Sequence, residues 1–375
     1  MSSLSPALPE GNFLAANVTH VIDQLRPGGA QHILLALARS EPQAKVCALH
    51  GSGTNDEMVA QFPRVEVLAR RKYALAVILS GLVRMILRDR AAVLFNAHLE
   101  TSTLLLCLLR GIVRFRLVVT IHASQGQWPR WFRWVFRRVI FLADHVIVES
   151  QGVLEEARRL GLSEAKLTLI PIGTMRPPAK IEDMTKDIRR EFGIPANAPI
   201  FLSVARMVPG KGHMHLVRAM PGVKGAVAVL VGDGPEKVRL QEEVRILGLE
   251  GRVFFAGVRT DLENFYPAAV AFVMPCLDES MGVVIYDALS CNLPVVAYAS
   301  GSIGEIVTDG VNGYLLPPDT NALAAALRRV LSQETPFRFL APENYSASAM
   351  VDRHNALYLD LSRRWLGPHP SGIHA

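Results

Sequence analysis

The sequence predicts an α/β protein built from two parallel-sheet domains, and three observations support this prediction. Short β-branched runs alternate with amphipathic runs of helical length in both halves of the chain, which is typical of βαβ units. The alternation stops at residues 171–186, which are rich in proline, glycine and charge, and then starts again. The chain has 375 residues, and 50% of them are hydrophobic, which is enough for two cores.

The individual elements follow from these runs. In the first half, a strand at 18–25 leads through a glycine turn into a helix from about Ala30, and further strands are predicted at 45–49, 93–97, 117–121, 145–149 and 167–170. In the second half, strands are predicted at 199–205, 227–231, 253–256, 271–274 and 295–298, with helices between them and a final helix at 346–365. We therefore expect an N-terminal domain at 1–172, a linker at 173–186, a second domain at 187–345 and a C-terminal segment at 346–375.

Positive charge is concentrated in the first half of the chain. Residues 1–172 carry 20 Lys and Arg against 13 Asp and Glu, a balance of +7, whereas residues 173–375 carry 20 against 21, a balance of −1. Within the first half, residues 101–143 contain no acid, and such a stretch requires an anionic partner or many counterions. Its arginines are Arg110, Arg114, Arg116, Arg130, Arg133, Arg137 and Arg138.

Aromatic and basic residues are interleaved at 128–138, which reads WPRWFRWVFRR. On a helix this pattern suits a membrane interface, where rings lie at headgroup level and arginines meet lipid phosphates. A second candidate is the run RRKY at 70–73, before an apolar stretch. Two alternatives are that the tryptophans pack into the core while the arginines face water, and that the patch binds nucleic acid, although no recognition motif accompanies it. The predicted membrane or acceptor face comprises Trp128, Arg130, Trp131, Arg133, Trp134, Arg137 and Arg138.

Cysteine usage and the N-terminal residues indicate a location in the cytoplasm. Cys47, Cys107, Cys276 and Cys291 show no C-x-x-C spacing, which argues against a zinc site or a disulfide framework and fits a reducing compartment. No Lys or Arg precedes Arg26, and no uncharged apolar stretch reaches the ~18 residues of a spanning helix. No Asp-x-Asp pair or cluster of His, Asp and Glu indicates a metal cage, so we expect neither a metal nor a cofactor.

Two carboxylates flank a predicted helix start in the segment 275–313. Glu279 follows a short apolar strand, Gly282 marks the helix start, and Asp287 lies eight positions after Glu279. Free N–H groups at the helix start, those of Val283 and Val284, can bind a phosphate, and a carboxylate further along can accept hydrogen bonds from ribose hydroxyls. The alternative is a helix with two solvated acids.

Other candidate residues lie at the ends of predicted strands. Arg206 and Lys211 follow a strand in the order Arg-x4-Lys-Gly, and two cations there suit a diphosphate leaving group, although a basic loop alone would look the same. Gly28 and Gly29 form a turn that lets backbone amides approach a phosphate or a sugar. His122 ends a strand at what we expect to be the rim of a domain; most lone histidines have structural roles.

These motifs resemble the retaining glycosyltransferases of family 4, which have the GT-B fold. Residues 279–287 resemble the family's Glu-x7-Glu signature, and the likeness continues through 294–295, 301–305 and 309–313 and includes LVGDGP at 230–235. Three positions depart from the family pattern: Asp287 replaces the second Glu, Ala205 replaces a Gly before Arg206, and Ala123 replaces a Gly after His122.

The resemblance implies a fold and a set of roles. It implies two Rossmann-like domains facing each other across a cleft, with the C-terminal helix crossing back onto the first domain. Arg206, Lys211, Gly282 and the amides of Val283 and Val284 would hold the donor diphosphate, over which the Gly28 and Gly29 loop would close. Asp287 would bind the ribose, and Glu279 and His122 would contact the donor sugar as the catalytic pair.

The implied activity is transfer of a hexose or similar sugar from a UDP- or GDP-sugar, without a metal and with retention of the anomeric configuration. The basic aromatic face favours a lipid-linked acceptor from exopolysaccharide, capsule or lipopolysaccharide synthesis, at the cytoplasmic face of the inner membrane and its anionic lipids. No nucleic-acid partner is expected. The alternatives are a sugar-nucleotide epimerase, a soluble transferase for a small metabolite, and a non-enzymatic binding protein.

Overall fold

The structure is a computed structural model, and it describes most of the chain. The described residues are 17–26, 28–41, 43–51, 59–72, 74–90, 94–122, 130–174, 187–277, 279, 282–332, 337–339 and 346–366. Trp128, most of the predicted linker (175–186) and the last residues of the predicted C-terminal segment (367–375) lie outside them. The chain divides into two compact units: unit 1 comprises 1–119, 138–145 and 351–375, and unit 2 comprises 120–137 and 146–350.

The first half of the chain forms a seven-stranded sheet. Its strands are β1 (Val18–Ile22), β2 (Lys45–His50), β3 (Val65–Ala69), β4 (Leu94–His98), β5 (Arg116–Ile121), β6 (His145–Val148) and β7 (Leu167–Leu169), in the order β3-β2-β1-β4-β5-β6-β7. β1 pairs in parallel with β2 and β4, β2 with β3, and β6 with β7. The helices that follow these strands are α1 (Gly29–Ser40), α2 (Leu75–Asp89), α3 (Glu100–Arg110), α4 (Arg130–Val139) and α5 (Gln151–Arg159).

The second half forms a six-stranded sheet within unit 2. Its strands are β8 (Ile200–Val204), β9 (Val227–Val231), β10 (Val253–Gly257), β11 (Ala271–Met274), β12 (Val295–Tyr298) and β13 (Gly313–Leu316), in the order β10-β9-β8-β11-β12-β13 and with parallel pairing throughout. The helices are α6 (Ile188–Phe192), α7 (His213–Ala219), α8 (Lys237–Ile246), α9 (Val283–Ser290), α10 (Ile303–Ile306), α11 (Thr320–Ser332) and α12 (Ala347–Leu366).

The core of the second sheet explains its sequence pattern. β9, β11 and β12 are buried at every position, as expected for parallel strands covered on both faces. Apolar residues of α7 and α11, such as Leu216, Leu323 and Leu327, join Ala228 and Leu230 of β9 in one hydrophobic cluster. Near-continuous apolar runs therefore mark these strands in the sequence.

Each predicted strand is present, with its ends shifted by three residues at most, but two further strands were not predicted. β3 lies at a sheet edge, where Glu66 interrupts its apolar run and Val67 is 41% exposed. β13 begins at Gly313, where a Cβ would lie 1.9 Å from the carbonyl oxygen of Val295, and only its first two residues are buried. Neither strand carries the long buried run on which the prediction relied.

Unit 1 contains a cluster of buried polar side chains. His20 Nδ1 lies 3.0 Å from His98 Nε2, and Asn96 Nδ2 donates to the Tyr358 hydroxyl at 2.7 Å. Burial, with a contribution from His354, lowers the pKa of His20 to about 3. Burial also raises the pKa of Glu41 to about 8. Because Tyr358 and His354 belong to α12, these contacts hold that helix in unit 1. The cluster comprises His20, Glu41, Asn96, His98, His354 and Tyr358, and Glu41 is the residue with the raised pKa.

Candidate functional site

Arg206 stands directly after β8 on a loop that packs tightly against the loop after β9. A Cβ on Gly232 would lie 2.0 Å from the carbonyl oxygen of Ala205, and a Cβ on Gly234 would lie 2.3 Å from that of Met207. The two glycines of the LVGDGP motif are therefore required by the close approach of two backbones. The result is a fixed loop that presents Arg206 as an exposed cation at the carboxyl end of β8.

Lys211 ends a short 3₁₀ turn, Pro209–Lys211, that is anchored to the loop after β11. Gly212 has φ +70°, and a Cβ on it would lie 1.8 Å from the carbonyl oxygen of Pro275. Glycine is needed there for both the conformation and the contact. Since β8 and β11 are neighbours in the sheet, Lys211 reaches the loop that carries Glu279.

Glu279 forms an ion pair with Lys211. The distance from Lys211 Nζ to Glu279 Oε2 is 2.7 Å, and the side chains are 22% and 9% exposed. The backbone of Glu279 is also fixed, because its carbonyl oxygen accepts a hydrogen bond from Ser302 N at 3.0 Å. Gly301, at φ +53°, approaches so closely that a Cβ would lie 1.7 Å from the same oxygen. The structure thus brings two predicted site residues into direct contact.

The N-terminus of α9 lies a few residues beyond Glu279. Gly282 is its N-cap, with φ +59°, and Ile285 N donates to Gly282 O at 2.8 Å. Val283 and Val284 are the first two residues of this helix, as predicted. Their N–H groups belong to the first turn, which has no intrahelical acceptor and carries the positive end of the helix dipole.

Asp287 is 4% exposed on α9, so it is not the solvated acid of the alternative interpretation. Its Oδ1 accepts a hydrogen bond from the hydroxyl of Thr174 at 3.0 Å. Thr174 follows β7, and the sequence analysis did not identify it. The two residues are far apart in the sequence, so no local pattern could have indicated this contact.

His122 lies at the end of β5 and is 5% exposed. Its Nδ1 is 2.8 Å from Oε1 of Glu149, which follows β6, the neighbouring strand. Glu149 was not predicted as a site residue. Its position directly after an apolar strand was a signal in the sequence, but the sequence did not show that this strand lies beside β5. A carboxylate in this position can fix the orientation of the imidazole.

Gly28 and Gly29 lie in unit 1, whereas the other predicted donor-binding residues lie in unit 2. Gly28 is the N-cap of α1, and a Cβ on it would lie 2.8 Å from Oε1 of Gln31. Gly28 is extended, at φ 178°, and Gly29 is already the first residue of α1, so the predicted turn lies at most before them. Its predicted approach to a donor phosphate stays a prediction.

The tryptophans of α4 are exposed rather than packed in the core. Trp131 is 67% exposed and Trp134 is 62% exposed, whereas Phe136 on the opposite side is 1% exposed. This contradicts the alternative in which both tryptophans are core residues. The arginines of the predicted face on this helix are Arg130, Arg137 and Arg138, which are exposed, and Arg133, which is half-buried. Among the described helices, none is both long enough and apolar enough to cross a membrane.

The residues around Lys211 can bind an anion. Lys211 has three N–H donors, so it can contact a phosphate while it remains paired with Glu279. His213, just beyond it, is buried, and burial together with the charge of Lys211 lowers its pKa to about 4, which keeps its imidazole neutral. Within the described part of the chain, no group of three or more His, Cys, Asp and Glu could hold a metal ion.

Comparisons with known proteins identify relatives of both halves of the chain. The model of Glycosyltransferase Family 4 matches residues 19–174, and that of Glycosyl transferases group 1 matches residues 184–347. The lipopolysaccharide core biosynthesis glycosyltransferase LpsE of Rhizobium meliloti (strain 1021) is 32% identical over 194 residues, covering 51% of this chain and 55% of LpsE. The 2-deoxystreptamine N-acetyl-D-glucosaminyltransferase of Streptomyces fradiae is 33% identical over 181 residues, covering 45% of this chain and 42% of that enzyme. The chain thus spans about half the length of these relatives.

A solved structure extends the likeness over nearly the whole fold. The crystal structure of HepE from Anabaena in complex with UDP has a TM-score of 0.74 and 24% sequence identity, covering 93% of this chain and 99% of HepE. This likeness confirms the predicted fold class, which is GT-B with two Rossmann-like domains. Taken with the two family models, it leads to one conclusion. The chain belongs to the family 4 glycosyltransferases.

Proposed function

We propose that this protein transfers a sugar from a nucleoside-diphosphate sugar to an acceptor. The observation that carries the proposal is the Lys211–Glu279 ion pair of 2.7 Å at the carboxyl edge of the second sheet. Ligands of open parallel sheets bind at this edge, and here it also presents Arg206 and the N-terminus of α9. Fixed positive charge beside a carboxylate suits a ligand with an anionic diphosphate at one end and sugar hydroxyls at the other.

Each residue of this edge then has a role in holding the donor, a UDP- or GDP-sugar. Arg206 and Lys211 neutralise the diphosphate, whose charge grows as the bond to the sugar breaks, and the amides of Val283 and Val284 bind its oxygens. Asp287 accepts hydrogen bonds from the ribose. The cations and amides provide the positive charge that this chemistry needs, so the proposal requires no metal ion.

Glu279 and His122 contact the donor sugar, and Glu149 orients the imidazole of His122. The reaction retains the anomeric configuration, because the acceptor oxygen attacks the anomeric carbon from the same face from which the leaving phosphate departs. The bond from the anomeric carbon to the phosphate oxygen breaks, the bond to the acceptor oxygen forms, and the acceptor proton moves to the leaving phosphate. No protein nucleophile is involved.

A panel of nucleotide-sugars tests this proposal. Purified protein is screened for thermal stabilisation by UDP- and GDP-sugars, since a bound ligand raises the apparent stability in proportion to its affinity. We expect stabilisation by one donor, slow hydrolysis of that donor without acceptor, and an α-configured product from an α-configured donor. Isomerised donor without any second substrate would support the epimerase instead, and binding without hydrolysis or transfer would support a non-enzymatic protein.

We also propose that the acceptor is a lipid-linked glycan intermediate of cell-surface polysaccharide synthesis. The exposure of Trp131 and Trp134 on α4 supports this proposal. Exposed rings beside arginines, in a region without acids, suit an anionic membrane surface. The likeness to LpsE, a lipopolysaccharide core glycosyltransferase, is consistent with an acceptor of this class.

Sedimentation with vesicles tests the membrane part. We expect the protein to bind vesicles of anionic phosphatidylglycerol at low salt, and to be released at high salt because the attraction is screened. The double variant Trp131→Ala and Trp134→Ala should lose most of this binding. A matched control is Val238→Ala, since Val238 is 77% exposed on α8. Absence of binding at low salt would contradict the membrane proposal.

A small soluble acceptor is the second candidate. The likeness to the 2-deoxystreptamine N-acetyl-D-glucosaminyltransferase supports it, because that name describes an acceptor without a lipid. This candidate predicts full turnover in the absence of lipid and detergent, with no effect of the tryptophan substitutions on the rate. The lipid-linked acceptor predicts that turnover requires lipid and that the tryptophan substitutions lower the rate.

A further inference from the structure

The hydrogen bond between Thr174 and Asp287 bears on how the nucleotide is recognised. Thr174 Oγ1 donates to Asp287 Oδ1 at 3.0 Å, and Asp287 is 4% exposed. A buried carboxylate needs hydrogen-bond donors, because an unsatisfied buried charge is strongly unfavourable. Asp287 stands where the Glu-x7-Glu signature has its second Glu, and its side chain is one methylene shorter. The short side chain limits the reach of the carboxylate, so its exact orientation matters more.

The backbone that carries Thr174 is itself fixed. A Cβ on Gly173 would lie 2.3 Å from the carbonyl oxygen of Ser346, so the two chain segments meet at backbone distance, and Thr174 and Ser346 form a parallel β-bridge. Ser346 directly precedes α12 and caps it. Its hydroxyl accepts a hydrogen bond from Ala349 N at 3.0 Å, and its carbonyl oxygen accepts one from Met350 N at 3.1 Å. The Thr174 hydroxyl is therefore presented by anchored backbone.

We propose that Thr174 is a positioning residue for ribose recognition, an inference that rests on the proposed function. A carboxylate offers about four lone-pair positions, and the Thr174 hydroxyl occupies one of them. The bond holds the carboxylate of Asp287 in one orientation, in which its remaining acceptor capacity is directed at the 2′ and 3′ hydroxyls. Pre-organisation of this kind strengthens binding because the side chain loses less freedom when the ligand arrives.

The test compares ribonucleotides with their 2′-deoxy forms. Dissociation constants for UDP, GDP, 2′-deoxy-UDP and 2′-deoxy-GDP are measured by calorimetry for the wild type, Thr174→Val and Thr174→Ser. Valine has nearly the shape of threonine but no hydroxyl, whereas serine keeps the hydroxyl. Thr308→Val, at an exposed threonine of the same unit, is the matched control.

We expect the wild type to prefer one ribonucleoside diphosphate over its 2′-deoxy form by about tenfold or more, which corresponds to one hydrogen bond to a charged group. Thr174→Val should lower this preference by about fivefold, because the affinity for the ribonucleotide falls more than the affinity for its 2′-deoxy form, whereas Thr174→Ser and Thr308→Val should keep the preference. A merely structural role would weaken both ligands equally, and that result would overturn the inference.

A double-mutant cycle shows whether Thr174 acts through Asp287. In an Asp287→Asn background, Thr174→Val should have no further effect on the ribose preference. An independent effect there would overturn the inference. If Thr174→Val is too unstable to measure, Thr174→Ala, which also lacks the hydroxyl, takes its place in the cycle. If the wild type binds a ribonucleotide and Thr174→Val keeps the same preference over the 2′-deoxy form, the inference fails and the proposed function stands. If the wild type binds neither UDP nor GDP, the proposed function fails and the inference with it.

Discussion

Two buried carboxylates in different regions of the molecule have opposite electrostatic surroundings. Glu279, in unit 2, is 7% exposed and lies 2.7 Å from the ammonium group of Lys211. Glu41, in the buried polar cluster of unit 1, is 3% exposed, and neither of its carboxylate oxygens has a hydrogen-bond partner among the described residues. Burial raises the pKa of Glu41 to about 8. One carboxylate is thus built to carry charge beside a cation, and the other to stay protonated.

The difference separates the proposed donor site from a contact that stabilises the fold. The pair at Lys211 is held by loops whose glycines permit very close backbone contacts, and an exposed arginine stands at the same sheet edge. The buried polar cluster, in contrast, contains a carboxyl whose pKa is raised and a histidine whose pKa is lowered, so these two groups stay neutral at neutral pH, and the cluster holds α12 in unit 1. A buried carboxylate beside a cation keeps its charge, whereas burial without a cation favours the neutral form.

The largest effect should come from removing the backbone contact that fixes Glu279. Gly301→Ala puts a Cβ 1.7 Å from the carbonyl oxygen of Glu279 at φ +53°, so the loop must move, and we expect a loss of about 3 kcal/mol or more in the free energy of unfolding. Gly310→Ala is the matched control: its φ is +72°, no atom lies within 4 Å of the added Cβ, and about 1 kcal/mol is expected. Urea denaturation measures both. Equal losses would show that the close contact at Gly301 is unimportant.

The next effect should follow from making Glu279 neutral, as Glu41 is. Glu279→Gln keeps the size of the side chain but removes the charge beside Lys211 and a strong acceptor for sugar hydroxyls, so we expect kcat to fall on the order of 10²-fold. Glu242→Gln, which alters an exposed ion pair with Arg245, serves as the control and should leave kcat unchanged. A kcat within threefold of the wild type for Glu279→Gln would remove Glu279 from the proposed donor-sugar site.

A smaller, pH-dependent effect should come from the other carboxylate. The folded-state pKa of Glu41 is raised to about 8 from 4.5, so the stability associated with it is fully present below pH 4.5 and is lost as the pH rises towards 8. Between these values the folded state holds one more proton than the unfolded state, and the free energy of unfolding falls by up to about 1.4 kcal/mol per pH unit. Glu41→Gln should remove this slope.

Urea denaturation at several pH values between about 5 and 8 gives the free energy of unfolding of the wild type and of Glu41→Gln. The pH dependence of the difference between the two free energies measures the slope due to Glu41. Subtracting the two proteins cancels the pH dependence that His20 adds to the stability of both, since its pKa is lowered in each. Glu242→Gln again provides a control at an exposed carboxylate. A constant difference across this range would mean that Glu41 is charged in the folded protein, and the contrast with Glu279 would disappear.

Much of the second sheet could be predicted from the sequence because β8, β9, β11 and β12 are short apolar strands that are buried almost throughout. The same holds for the residues that occupy strand ends, since a strand that ends in Arg206 or His122 leaves them at the edge of the sheet. β3 was missed because it is a half-exposed edge strand that contains Glu66. Periodicity also could not decide whether Trp131 faces solvent, because the exposed side of a helix is set by what packs against it.

The contacts made by predicted site residues were less predictable than the residues themselves. Glu149 meets His122 because β5 and β6 are neighbours, and the sequence does not state the strand order. Thr174 meets Asp287 across 113 positions of the chain. Such pairs depend on tertiary packing, whereas Gly212 and Gly301 could be noticed as motif glycines long before the backbone contacts they permit were known.

Arg206 and Lys211 are proposed to bind the donor through its diphosphate. The most direct measurement compares the affinities for a nucleoside diphosphate and for the bare nucleoside in the wild type and in the double variant Arg206→Gln and Lys211→Gln. We predict that the double variant binds the diphosphate about 100-fold more weakly or worse and the nucleoside equally well. Arg218→Gln with Arg245→Gln removes the same charge from two exposed ion pairs and should change neither affinity. Unchanged affinity for the diphosphate in the Arg206 and Lys211 variant would contradict the account.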